Sequence, residues 1–248
     1  MDATTAHSKS ISRSHSASAV VDGVILDVDG TLVDSNDAHA HAWVEAFSAH
    51  GVEAPYQRVR RLIGKGGDKL LAEVAGIDHE SALGRAIEET RRTIFIERYA
   101  PHLKPCPGAR ALLQRLREDG LRLAVATSAK AAELQVLLQR AEVADLIDTA
   151  TSSDDAERSK PDPDIVVAAL RRARLEVHRA VMIGDTPYDV EAATRVGLRI
   201  VGLRSGGWSD DDLRGAVAIY DHPLDLLRHY AEFLDVLSRT SRAAARGS

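Results

Sequence analysis

The chain has 248 residues, 44% of them hydrophobic and 28% charged, with a net charge of −5 and a single cysteine, Cys106. That length suits one large domain or a core with a smaller second unit, and the interspersed charges give no basis for a nucleic-acid groove or a polybasic membrane face. One cysteine excludes an intrachain disulfide and a cysteine zinc cluster and fits a cytoplasmic setting, and no apolar run approaches the ~20 residues that span a bilayer.

Residues 1–19 are Ser-rich, lack an apolar signal core and read as a disordered tail. Val24-Ile25-Leu26 then reads as a buried strand, and Gly30 as a tight turn leaving it. Between them lies Asp27-Val28-Asp29. Side chains alternate along extended chain, so Asp27 and Asp29 project to the same side. Two neighbouring carboxylates repel each other unless a hard cation or a proton sits between them. The chemistry this suggests is attack by Asp27 on a phosphoryl group, proton handling by Asp29, and Mg²⁺ against both. Asp-x-Asp alone is more often a solvated turn or a helix cap, so the later segments decide.

After Ser35 the pattern becomes helical. Asn36 or Asp37 caps a helix through Trp43 and Phe47 to near Gly51. Further helices are expected over 56–63, over 69–74 and over 81–98, with the glycine-rich run Gly64-Lys65-Gly66-Gly67-Asp68 between the first two. Residues 36–98 thus form a helical insert. Its glycine-rich run reads either as a loop closing over substrate or as a plain flexible connector. Pro101, Pro105, Pro107 and Gly108 mark the return. Strands over 121–126, 146–150, 180–183, 198–203 and 217–220 then alternate with helices over 130–140, 163–174, 187–196 and 224–237. That alternation predicts an α/β core, residues 20–35 and 99–237, with a parallel sheet and helices on both faces. Residues 238–248 read as a short flexible tail.

Ligands of such sheets sit at the carboxyl ends of the strands, so the residues there are the candidates. Thr127 and Ser128 offer a hydroxyl and backbone N–H to a phosphate oxygen, or simply cap the next helix. In Ser159-Lys160-Pro161-Asp162-Pro163, Pro161 biases Lys160 to extended backbone. Pro163 suits a first helical turn capped by Asp162. An ammonium so placed neutralises phosphate and holds Asp27 ionised. Asp185 follows a buried strand and Asp189 lies in the next helical turn. They either cap that helix or bind metal. Mg²⁺ would take Asp27, Asp185 and the Asp29 carbonyl, with Asp189 behind them. His39 and His41, two apart, cannot share a helix face; one of them could line the cap cleft, but cap packing or solvent is the expectation. Trp43 and Phe47 read as core of the insert, and Gly206-Gly207-Trp208, after a core strand, either borders the site or forms a mobile loop.

These four segments, in this order, resemble the signature motifs of the haloacid dehalogenase superfamily across roughly residues 21–205, and the insert resembles its small α-helical cap, as in phosphoglycolate phosphatases and β-phosphoglucomutases. The resemblance implies a Rossmann-like core and an aspartyl-phosphate on Asp27. It also implies that Asp29 protonates the leaving alcohol and then activates water, that Thr127 and Lys160 bind the phosphoryl group, and that Mg²⁺ is the cofactor. The expected function is hydrolysis of a small-molecule phosphomonoester by a monomer or homodimer, without nucleic-acid or membrane partners. A sugar phosphomutase is the alternative. Asp29 disfavours phosphonoacetaldehyde hydrolase, although Lys65 in the insert invites it. A signalling receiver domain is disfavoured because its acceptor follows a later strand.

Overall fold

The protein's computed structural model describes residues 21–246, with side chains through 239. The expected tail at 1–19 lies outside the described residues. The run after Asp22 forms β1 (Gly23–Leu26), the centre of a six-stranded parallel sheet. The other strands are β4 (Arg122–Ala126), β5 (Thr149–Thr151), β6 (Ala180–Gly184), β7 (Arg199–Leu203) and β8 (Ala218–Tyr220), in the order β5-β4-β1-β6-β7-β8. A short antiparallel pair, β2 (Val33–Asp34) with β3 (Lys104–Pro105), joins the two chain crossings between insert and sheet.

The alternation of side chains along each strand builds two layers. Val24, Leu26, Leu123, Val125, Val181 and Ile183 face α5 (Ala109–Glu118), α6 (Ala131–Arg140) and α10 (Tyr230–Arg246). Ile25, Ala124, Ala126 and Met182 face α7 (Asp164–Ala173) and α8 (Pro187–Arg195). Both faces are covered, so the central strands β1 and β6 are apolar throughout, and each large side chain removed from water contributes about 1.5–3 kcal/mol. The insert has its own apolar cluster, in which Trp43, Phe47, Leu70, Leu71 and Ile87 bring together α1 (Asn36–Ala49), α2 (Tyr56–Leu62), α3 (Gly67–Ala75) and α4 (Ala82–Ile94).

The elements differ from the sequence reading in a few places. Helix α1 is capped by Ser35, whose hydroxyl makes no capping bond and turns instead to Asp29. The helix expected over 81–98 ends its α-helical part at Ile94 and finishes as a π-helical turn, Phe95–Tyr99. The segment expected over 224–237 is two helices, α9 (Pro223–Arg228) and α10. The second continues through Ser238 to Arg246, where fraying had been expected. Helix α5 was not anticipated, because the proline-rich return drew the reading towards a connector. Among the described residues no helix is long and apolar enough to cross a membrane.

Candidate active site

After β1 the chain moves to β4 and β5 on one side, then crosses to β6 on the other. The carboxyl end of β1 is therefore a topological switch point, where a crevice opens between diverging connections. Asp27 follows β1 there, Thr127 follows β4, and Asp185 follows β6. Lys160 reaches the same point from the connection between β5 and α7.

Lys160 is 1% exposed. Its ammonium contacts Asp27 Oδ1 and lies 2.7 Å from Asp189 Oδ1. Burial pulls the ammonium towards neutrality, but Asp189 and Asp27 outweigh it and hold it above its usual range, so it stays charged. Burial drives the Asp27 carboxyl well above the ordinary range. Lys160 pulls it back, and Asp189, Asp185 and Asp29 push it up further.

Asp185 is fully buried. Its Oδ1 accepts from Thr31 Oγ1 at 3.1 Å and its Oδ2 from Asn36 Nδ2 at 2.9 Å. Burial and the charge of Asp189 raise it to about 7. Gly30 and Gly206 wall this carboxylate in, since a Cβ on either would fall 2.1 Å from Asp185 Oδ2. Asp189 belongs to a capping box: its Oδ2 accepts from the Thr186 N–H at 3.1 Å and Thr186 Oγ1 at 2.7 Å. Of the two roles the sequence left open for Asp189, capping and metal binding, the cap uses Oδ2, while Oδ1 faces the Lys160 ammonium.

Oxygens of Asp27, Asp185 and Asp189 lie within 4.8 Å of one another. They are hard oxygen donors carrying more negative charge than Lys160 neutralises, as the raised Asp185 records. That donor set fits a hard divalent cation. Gly206→Ala is expected to push Asp185 aside, weaken metal activation and lower turnover about a hundredfold. A magnesium titration of the variant that overlays the wild type would refute this account of the cradle.

Asp29 Oδ1 accepts from Ser35 Oγ at 2.5 Å and lies 2.8 Å from His39 Nε2. Burial raises the Asp29 carboxyl, but His39 and Ser35 outweigh it and leave it below the usual range. His39 is buried, not in solvent. It stacks on Phe95 with ring centroids 3.9 Å apart, and its Nδ1 is 3.9 Å from Glu133 Oε1. Glu133, 1% exposed on α6, pairs with Arg91 of α4 at 2.7 Å. Ser35, His39, Glu133 and Arg91 were not anticipated as site residues. A signal for His39 did exist: it shares a helical stripe with Asn36 and Trp43, three and four residues away, and that stripe faces inward. Nothing local marks Glu133 or Arg91.

Asp27, Asp29, Thr127 and Ser128 line a cavity of about 50 Å³, closed by the Gly64–Gly67 run of the insert. Thr127 Oγ1 accepts from the Ala129 N–H at 3.1 Å, and Ser128 Oγ donates to the Gly64 carbonyl at 3.1 Å. The Lys65 ammonium is held by both oxygens of Glu73 at 2.6 and 2.8 Å and lies over the Tyr188 ring. Beyond Gly66, Gly67 and Arg91 the cavity adjoins a cleft of about 580 Å³ between insert and core.

Fold and site together define an enzyme of the α/β class whose chemistry centres on buried carboxylates at the switch point. Residues 24–203 match the model of the haloacid dehalogenase-like hydrolases, and the chain belongs to that family. It is 32% identical to a phosphoglycolate phosphatase of Rhodospirillum rubrum over 212 residues, 80% of this chain and 86% of that one. It is 29% identical to an N-acetylmuramic acid 6-phosphate phosphatase of Pseudomonas aeruginosa over 224 residues, 87% of this chain and 94% of that one. The crystal structure of a hydrolase from Pseudomonas syringae superposes with a TM-score of 0.79 at 32% identity, covering 85% of this chain and 98% of that one. The protein is an enzyme, a phosphoric monoester hydrolase of the haloacid dehalogenase superfamily.

Proposed function

We propose that the protein is a magnesium-dependent phosphatase that hydrolyses a small-molecule phosphomonoester through an aspartyl-phosphate on Asp27. The observation that carries this is the buried Lys160 ammonium set against Asp27, with Asp29 beside it on the same chain segment. A carboxylate nucleophile in a dry site needs a fixed cation to offset part of the cost of charging it, and Lys160 pulls Asp27 in that direction.

A carboxylate oxygen of Asp27 attacks phosphorus and the bond to the leaving oxygen breaks. Asp29 gives a proton to that oxygen. The ionised Asp29 then takes a proton from water, whose oxygen attacks phosphorus. The Asp27–phosphoryl bond breaks and inorganic phosphate leaves. Thr127, Ser128 and Lys160 hold the phosphoryl oxygens in line. Asp27, Asp185 and the Asp29 carbonyl would hold Mg²⁺, with Asp189 kept outside by its bonds to Lys160 and Thr186. When bound, the ion supplies positive charge against the phosphoryl oxygens.

The helices over residues 36–98 act as the cap in this reading, with Gly64–Gly67 forming the roof. A cavity of about 50 Å³ suits the phosphoryl group and leaves the alcohol to the adjoining cleft. That cleft is lined by charged groups such as Arg85, Glu88 and Lys130 and by no aromatic residue except His79. Such a lining favours a polar, sugar-like or carboxylated leaving group over a nucleobase that needs stacking. The test is phosphate release from a broad panel of phosphomonoesters, with Mg²⁺ and with EDTA. Magnesium-dependent release, ranked by leaving group, is expected. No release from any ester would overturn the phosphatase and direct attention to isomer interconversion of sugar phosphates.

Metal and protons compete for Asp185, so stability tests the same site. Its folded value of about 7 exceeds the usual 3.8. Proton uptake thus favours the folded state: this stabilisation is full below about 4 and lost as pH rises through about 7. Asp27 has the same sign. Asp29, depressed, acts oppositely and only in acid. Without metal the protein should therefore lose stability between about pH 4 and 7, and Mg²⁺ should raise Tm more at pH 8 than at pH 5. Equal Mg²⁺ shifts at both pH values would contradict this.

A further inference from the structure

The turn that presents Lys160 is held at both ends by one residue of the insert. Within the turn, the Asp162 N–H donates to the Ser159 carbonyl at 3.0 Å. Lys69, in the first turn of α3, donates from Nζ to that same carbonyl at 2.9 Å and also contacts Asp162 Oδ2. Ser159 Oγ donates to Asp68 Oδ1 at 2.6 Å. Asp162 therefore does not cap α7 as the sequence had suggested; Pro163 stands at that position, and the carboxylate faces the insert. Ser159 is buried and Lys160 more so, while Lys69 and Asp162 are about one-fifth exposed.

We infer that Lys69, supported by Asp68, is a positioning residue for Lys160: seating the insert clamps the turn on either side of Lys160 and so sets its ammonium against Asp27. The inference rests on the phosphatase reading for its consequence in rate, but the clamp itself is a matter of geometry. Lys69 rides on the helix that follows the Gly64–Gly67 roof. One movement of the insert therefore closes the cavity and fixes the lysine. A long side chain such as Lys160 has many rotamers, and only a fixed backbone limits where its ammonium goes. Substrate small enough to let the insert seat is turned over; substrate that props it open leaves Lys160 loosely held.

Lys69→Met is the test. The variant should fold, because Asp162 keeps Arg195 at 2.9 Å and Arg158 at 3.5 Å. We expect kcat to fall between about ten- and a hundredfold. The loss should be the same for p-nitrophenyl phosphate, whose leaving group has no carboxylate, as for phosphoglycolate, whose leaving group has one. Lys69→Arg should restore most of it. A rise in KM confined to phosphoglycolate would overturn the inference and make Lys69 a substrate-binding residue. An unchanged kcat for both would overturn it as well. Asp68→Asn should give a smaller loss of the same kind. Hydrogen exchange over residues 158–164 separates this outcome from failure of the phosphatase reading. Even if no ester is hydrolysed by the wild type, Lys69→Met should speed exchange there, and unchanged exchange would dispose of the clamp.

Discussion

Asp27→Asn is expected to abolish turnover, by a factor on the order of 10⁴ or more, while the protein stays folded and as stable as the wild type. The amide keeps the shape of the carboxylate but is a poor nucleophile and cannot form the acyl phosphate. Stability is spared because burial already opposes the charge at position 27. Lys160 also keeps Asp189 as a partner at 2.7 Å, so no buried cation is stranded. The measurement pairs steady-state rates with thermal unfolding. Borohydride reduction during turnover should convert residue 27 of the wild type to homoserine, the mark of an acyl phosphate. Wild-type rates in the variant would end the nucleophile assignment.

Lys160→Met should be costly in both respects. It removes the ammonium that contacts Asp27 and Asp189 and leaves Asp27, Asp185 and Asp189 buried together without a compensating cation. Breaking a buried pair in this way costs about 3–5 kcal/mol, or roughly 10 °C in Tm for a chain of this size. The sign of its pH dependence is fixed by the same charges. Protonating the carboxylates relieves their repulsion, so the deficit should be smallest near pH 5 and grow towards pH 8. Activity should fall at least as far as in the positioning variants, because both the attacking carboxylate and the phosphoryl oxygens lose their cation. A variant with a pH-independent deficit would show that Lys160 is held for packing alone. The contrast with Asp27→Asn is the point of the pair: one removes a charge that the fold disfavours, the other removes the charge that makes the rest tolerable.

Much of this was legible in the sequence for a physical reason. A strand-end carboxylate pair, a hydroxyl after β4, a lysine before a proline and a carboxylate after β6 are local signals. In a parallel sheet, local position at a strand's carboxyl end is also position in space. Asp27, Asp29, Thr127, Lys160 and Asp185 could therefore be named from spacing, and the six strands from apolar runs bounded by turns. Tertiary structure decided the groups that meet only after distant helices pack. The bond from His39 to Asp29, the Glu133–Arg91 pair between α6 and α4, the cradle of Gly30 and Gly206 around Asp185, and the reach of Lys69 to Ser159 join residues between 10 and 155 positions apart. No pattern in the chain carries that information. The side chains involved are ordinary surface types, and their roles follow from desolvation and from the packing of helices that buries the three apolar clusters together.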